Sequence, residues 1–219
     1  MIKAVIFDLD DTLYDYISYE EGAQNAVIDE ASSYFGIERA VVEKAYFAGK
    51  KQAKIGLETV AAGHNRMMYV QRMLEELGVS PVEHSIELYE AFWGYILNHI
   101  SLNDYVIPLF EELKKRGVKI ALCSDLTTNI QHRKINKLGI GKYIDVLVTS
   151  EEAGIEKPSP KMYELVLKKL KMNVDEVIMG GDSMRKDVDG PSAIGIKGIH
   201  FDGDGDKFSS EILSVVKGE

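Results

Sequence analysis

The chain has 219 residues, 45% of them apolar and 28% charged, which is the composition of a folded globular protein and far from the disordered range. Its formal net charge of -9 argues against nonspecific nucleic-acid binding, which needs clustered Lys and Arg; Lys114, Lys115 and Arg116 come nearest and read as the solvated end of a helix. One cysteine, Cys123, rules out an internal disulfide, the first apolar run stops at Asp8, too soon for a signal peptide, and no later run spans a bilayer, so the expectation is a cytoplasmic enzyme without a membrane or nucleic-acid partner.

Ala4 to Phe7 are continuously apolar, partly β-branched, and followed by acidic residues, as expected of a strand buried on both faces of a parallel sheet. Residues 15–102 contain no convincing strand but several amphipathic helical patterns. Tyr19, Ala23, Ala26, Val27, Ala31 and Tyr34 fall on one face; so do Met67, Val70, Leu74 and Leu77, and then Ile86, Tyr89, Trp93, Ile96 and Ile100. These stripes read as packing between roughly four helices. His64, Asn65 and Arg66, after Gly63, read as a polar loop between two of them. Apolar runs return at residues 118–123, 146–148, 177–179 and 196–201. They alternate with helical patterns near Thr127, at Ser159 before Pro160, and around Gly190 and Pro191. Such alternation predicts right-handed βαβ units: an α/β fold with a doubly wound parallel sheet, Rossmann-like, formed by residues 1–14 and 103–219 and carrying an all-helical cap at 15–102.

In such sheets ligands bind beyond the C-terminal strand ends, so the residues just after each apolar run are the first candidates. They are Asp8 and Asp10, Ser124 and Asp125, and Asp182, with Lys157 in the loop after the third run. Each alone has a plain explanation as a loop, cap or solvated residue. Together they suit an anionic substrate. Mg²⁺ takes carboxylate, phosphate and water oxygens, here from Asp8, Asp182 and the backbone carbonyl of Asp10. An attacking carboxylate repels a phosphate dianion, a repulsion that Mg²⁺ and the Lys157 ammonium offset. Ser124 and the N–H groups near it, aided by the start of the next helix, suit the remaining phosphate oxygens. Asp10 is placed to give a proton to the leaving oxygen and later to take one from water.

These motifs resemble the haloacid dehalogenase superfamily, in its phosphatase branch with a helical cap after the first motif. FDLDDTL resembles the first motif, with Asp8 as nucleophile, Asp10 as acid/base and Thr12 in support; CSD resembles the second, through Ser124. EKPSP supplies Lys157, and GGDSMRKDVDG resembles the fourth motif, with Asp182 on the metal and Asp187 holding a water or Lys157. Pro191 stands where Ala is common, and Asp125 where Asn or Gly is frequent beside the phosphate-binding hydroxyl. The resemblance implies a Mg²⁺-dependent hydrolase of a small-molecule phosphate monoester.

Rival readings on the same motifs are a phosphomutase, a metal-independent 2-haloacid dehalogenase, and a phospho-accepting receiver domain. The second Asp of FDLDD argues against a dehalogenase, and the helical insertion against a receiver. DGDGD at 202–206 begins like a calcium loop, but Lys207 and Leu213 occupy positions that need Gly and Glu, leaving a solvated turn. Cys123 lacks the downstream Arg of a cysteine phosphatase, since Asn129 is there, and reads as a buried strand residue.

Overall fold

The computed structural model describes residues 1–217. The chain divides into two compact units, Met1–Asp15 with the chain from Ser101 onward, and Tyr16–Ile100.

The first unit opens with β1 (Ala4–Phe7), every residue of which is buried. The second unit holds four long helices, α1 (Ile17–Phe35), α2 (Arg39–Lys54), α3 (Arg66–Glu76) and α4 (Pro81–His99). In the first unit, α5 (Val106–Lys115) leads to β2 (Lys119–Ser124), then α6 (Thr128–Lys137), β3 (Val146–Thr149) and one turn of helix, α7 (Ser150–Ala153). After α8 (Pro160–Leu170) come β4 (Val177–Gly181), a wide turn at Met184–Asp189, α9 (Gly190–Ser192), β5 (Lys197–His200) and α10 (Gly205–Lys217).

Among the described residues the five strands are all parallel, in the order β3-β2-β1-β4-β5. Successive strands run outward from β1 to β3, and the chain then returns to the other side of β1 for β4. The carboxyl end of β1 beside β4 is therefore the topological switch point, the place where this architecture opens a crevice. Phe7 pairs with Leu122 on one side and Gly180 on the other, so Asp8, one residue on, is aimed into that crevice. The sheet is buried by apolar helix faces. Met162, Tyr163, Val166 and Leu170 of α8 cover Ala121, Cys123, Val148 and Met179. On the α10 side, Phe208 packs so closely that a Cβ on Gly180 would sit 2.6 Å from its ring. α10 is an addition to the expected elements. The DGDGD turn is exposed and caps it, with Asp204 Oδ1 accepting from Lys207 N at 3.0 Å.

Helix α9 starts where the sequence places it, at Gly190 with Pro191 in its first turn. The wide turn that precedes it has a reciprocal cap, Ser183 Oγ accepting from Lys186 N at 3.3 Å while Asp187 Oδ2 accepts from Ser183 N at 3.1 Å.

In the helical unit the buried stripes lie slightly rotated from those expected. Tyr34 and Ile86 are 63% and 67% exposed, while Ile28, Met73, Leu88 and Phe92 are buried. Tyr34 instead packs edge-on against Phe35 and tilts against His84. The predicted polar loop at His64–Arg66 is corrected as well. Asn65 caps α3 by accepting from Met67 N at 3.0 Å, and Arg66 is only 6% exposed. Its guanidinium donates to the Tyr16 hydroxyl and the His64 carbonyl, each at 2.6 Å, and lies over the rings of Tyr69, Phe92 and Trp93.

Helices α2 and α3 meet backbone to backbone. A Cβ on Gly49 would stand 2.7 Å from Met73 N and 2.9 Å from the Tyr69 carbonyl oxygen. Ala is a better helix former than Gly by about 1 kcal/mol, yet forcing the helices apart costs about 1 to 3 kcal/mol. Gly49→Ala is thus expected to lower the unfolding free energy in urea, and an unchanged or raised value would contradict the close approach.

Candidate active site

Chain reversal at two strand ends sets up the site. Asp11 (φ 61°) and Leu126 (φ 83°) both adopt left-handed backbone, one residue after Asp10 and Asp125 respectively. Such conformations are unfavourable for residues with a Cβ and persist where the surrounding structure holds them. The first of these turns brings Thr12 back under Asp8. Its hydroxyl lies 3.4 Å from Asp8 Oδ2 and 3.3 Å from Asp182 Oδ1, and accepts from Asp182 N at 3.0 Å, so it ties the end of β1 to the end of β4.

Lys157 is buried between two carboxylates. Its ammonium donates to Asp8 Oδ1 at 2.6 Å and to Asp187 Oδ1 at 2.7 Å. Asp187 thus contacts Lys157, one of the two partners expected for it. Gly181 leaves the room for this: a Cβ there would fall 2.5 Å from the Asp187 carboxyl carbon. The loop carrying Lys157 is braced from the second motif, since Asp125 Oδ1 accepts from Lys157 N at 3.0 Å. Asp125 Oδ2 accepts from Lys186 Nζ at 2.7 Å. The Asp125 side chain is thereby engaged in holding two loops.

Ser124, at the end of β2, is buried, and its hydroxyl accepts from Gln131 Nε2 at 2.7 Å. The same amide lies 2.7 Å from the Asp125 carbonyl and 3.3 Å from Asp10 Oδ2. The start of α6 already has an anionic partner, because Thr128 N donates to Glu151 Oε2 at 2.8 Å. Asp10 itself turns toward Lys134, whose ammonium reaches both carboxylate oxygens at 2.8 and 2.9 Å, and toward the Tyr14 hydroxyl. Tyr14, Gln131 and Lys134 were absent from the residues singled out by sequence. A signal was present: Ile130, Lys134 and Leu138 form one row at helical spacing, and a Lys amid an apolar row is out of character.

The electrostatics divide the carboxylates into two classes. Asp10 and Asp125 each have an ammonium of their own, Lys134 and Lys186. Burial works to raise the Asp10 carboxyl, but Lys134, Tyr14 and Gln131 prevail and hold it below its ordinary value. Asp8, Asp182 and Asp187, in contrast, offer one oxygen each within 4.8 Å of one another, and among them lies the single ammonium of Lys157. Burial raises the Asp8 carboxyl well above its ordinary value, against the pull of Lys157 and with the charges of Asp187 and Asp10 adding to it. Asp182 is raised too, by burial first and then by Asp187. Burial works to lower Lys157, yet Asp187 and Asp8 overcome it and hold the ammonium well above its usual value. Three carboxylates against one ammonium leave two negative charges unbalanced. The donor set, all oxygen, fits a hard divalent cation.

Cys123 plays no part in this set. Burial pushes its thiol well up, which keeps it protonated and non-nucleophilic.

The profile of the haloacid dehalogenase-like hydrolase family matches residues 2–195. The ribulose-1,5-bisphosphate 5-phosphatase of Halopiger xanaduensis is 35% identical over 92% of this chain and 85% of its own length. The glyceraldehyde 3-phosphate phosphatase of Methanopyrus kandleri is 28% identical over 90% of this chain and 82% of its own. Among solved structures, a 2-haloacid dehalogenase from Pseudomonas syringae superposes with a TM-score of 0.77 at 21% identity, covering all of both chains, a likeness of fold alone. The chain belongs to the haloacid dehalogenase-like hydrolases, in their phosphatase branch.

Proposed function

We propose that this enzyme hydrolyses a small phosphorylated sugar in two steps, with Asp8 as nucleophile and Mg²⁺ as cofactor. Hydrolysis of a small phosphate ester is the coarser statement, and it follows from the family and its phosphatase relatives. Both relatives bear names of enzymes that remove a phosphate from a terminal carbon of a sugar, which supports that substrate class. The observation that carries the mechanism is the uneven charge at the end of β1, where Asp8, Asp182 and Asp187 share one Lys157.

Asp8, Asp182 and the Asp10 carbonyl are the residues proposed to hold the cation, with Asp187 beside them. When bound, it would neutralise charge on the phosphoryl oxygens and on the carboxylates around them. Asp8 attacks phosphorus, the ester bond breaks, and Asp10 supplies a proton to the leaving oxygen. Water then attacks the aspartyl phosphate, Asp10 removes a proton from it, and Asp8 is regenerated. Asp10 bonded to Lys134 as a carboxylate is the form that takes the proton of the water, and the proton so gained is the one given to the leaving oxygen in the next turnover. Lys157 balances the charge of Asp8 and, held by Asp187, stays fixed beside it. Ser124 and the N–H groups around Asp125 are proposed to bind the phosphoryl oxygens. The helical unit is proposed as the cap that excludes bulk water during turnover.

Asp8→Asn is expected to fold normally by circular dichroism and to lose about 10³-fold or more of its Mg²⁺-dependent turnover of an aryl phosphate. Normal turnover would remove Asp8 from the role of nucleophile. A cation bound to the folded state alone raises the unfolding midpoint, by about 5 to 10 °C at a hundred times its dissociation constant. That rise is expected for the unaltered enzyme in Mg²⁺ and is expected to vanish in Asp182→Asn; an equal rise in both would place the ion elsewhere.

A further inference from the structure

Among the described residues three side chains hold Asp10, and beyond favouring its carboxylate form the two-step scheme gives them no task. Lys134 Nζ donates to both carboxylate oxygens, the Tyr14 hydroxyl to Oδ1 and Gln131 Nε2 to Oδ2. Lys134 is fully buried, on the α6 row between Ile130 and Leu138, where an apolar side chain would pack without the cost of desolvating an ammonium. Gln131 also contacts the Ser124 hydroxyl and the Asp125 carbonyl, so the Asp10 carboxylate is fixed relative to the second motif as well as to its own strand. A carboxylate gripped on both oxygens has little rotational freedom. That restriction has value in a step where the carboxylate must meet one proton of one water molecule.

We propose that Lys134 is a positioning residue for the second half of the reaction: it holds the Asp10 carboxylate where that group receives the proton of the attacking water. The inference rests on the roles given above to Asp8 and Asp10. In this step the water oxygen bonds to phosphorus, the bond from phosphorus to Asp8 breaks with its electron pair returning to the Asp8 carboxylate, and the proton of the water passes to Asp10. An aryl ester isolates the step, because its phenolate leaves without a proton and the first step then makes no demand on Asp10.

The test is rapid-mixing hydrolysis of 4-nitrophenyl phosphate in Mg²⁺ by the full chain, comparing the unaltered enzyme with Lys134→Met, Asp10→Asn and the double variant. For Lys134→Met, kcat is expected to fall about 10²-fold, with KM falling alongside so that kcat/KM stays within about threefold. A burst of about one nitrophenol per enzyme should precede the slow phase, since the phosphorylated enzyme then accumulates. In the Asp10→Asn background the same Lys134 change should alter kcat by less than about threefold, because a residue acting through Asp10 has nothing left to act on. An unchanged kcat in Lys134→Met, a kcat/KM that falls as far as kcat, the lack of a burst, or a full Lys134 effect without Asp10 would each overturn the inference. Failure of Asp10→Asn itself to show a burst would strike the acid/base reading of Asp10 and carry this inference down with it. A burst in Asp10→Asn but none in Lys134→Met would strike Lys134 alone. Should Lys134→Met not fold, Tyr14→Phe withdraws another of the donors to Asp10 and is expected to lower kcat at constant kcat/KM; an unchanged kcat there would overturn the inference equally.

Discussion

The contact on which the site depends is the buried ammonium of Lys157 between Asp8 and Asp187. It joins the end of the central strand to the turn after β4, and its loop is in turn pinned by Asp125 from the end of β2. Taking these charges from water is costly, by several kcal/mol per ion even after relaxation, and their attraction repays it only when geometry and hydrogen bonding are good. Here both conditions hold: each bond is near 2.7 Å, and Asp187 also accepts from Ser183 N. A protein seeking stability alone would do better with apolar side chains in this place. The arrangement is better understood as the support of a nucleophile, which keeps the Asp8 carboxylate oriented and partly balanced while leaving the site short of positive charge.

That shortage is confined to one cluster. Asp10 and Asp125 are matched by Lys134 and Lys186, so the negative field concentrates on Asp8, Asp182 and Asp187. Such a cluster repels a phosphate ester unless a cation joins it, and the same cation would lower the raised carboxyls of Asp8 and Asp182. Binding of cation and of substrate are thereby linked through one set of oxygens. The sheet contributes the framework: β1 and β4 flank the switch point, and the Thr12 hydroxyl spans their ends.

Much of this was legible in the chain, for physical reasons. A central parallel strand must be apolar on both faces, which makes residues 4–7 and the later runs plain, and ligand groups must follow such strands, which makes Asp8, Ser124 and Asp182 plain. What escaped was of another kind. Lys134 and Gln131 act from the second turn of a helix, where sequence position alone leaves the direction of a side chain open by a full turn. Arg66 departs from expectation because a charged residue in a polar stretch is normally solvated, whereas here its guanidinium lies over the rings of Tyr69, Phe92 and Trp93. The stripes on α1 and α4 were offset because both helices carry apolar residues on more than one face, and only packing decides which are covered. Asp125 shows the opposite limit: its place was legible, but not that two Lys-bearing loops would use its side chain.

The central claim is that the phosphoryl group passes through the Asp8 carboxylate. Acid quenching during turnover of a phosphate ester in Mg²⁺, followed by borohydride reduction and peptide mass analysis, reports on this directly, because an acyl phosphate at that carboxylate is reduced to homoserine. Homoserine at position 8, dependent on both substrate and Mg²⁺, is the predicted result. An unmodified Asp8 under those conditions, or homoserine at another position, would contradict it.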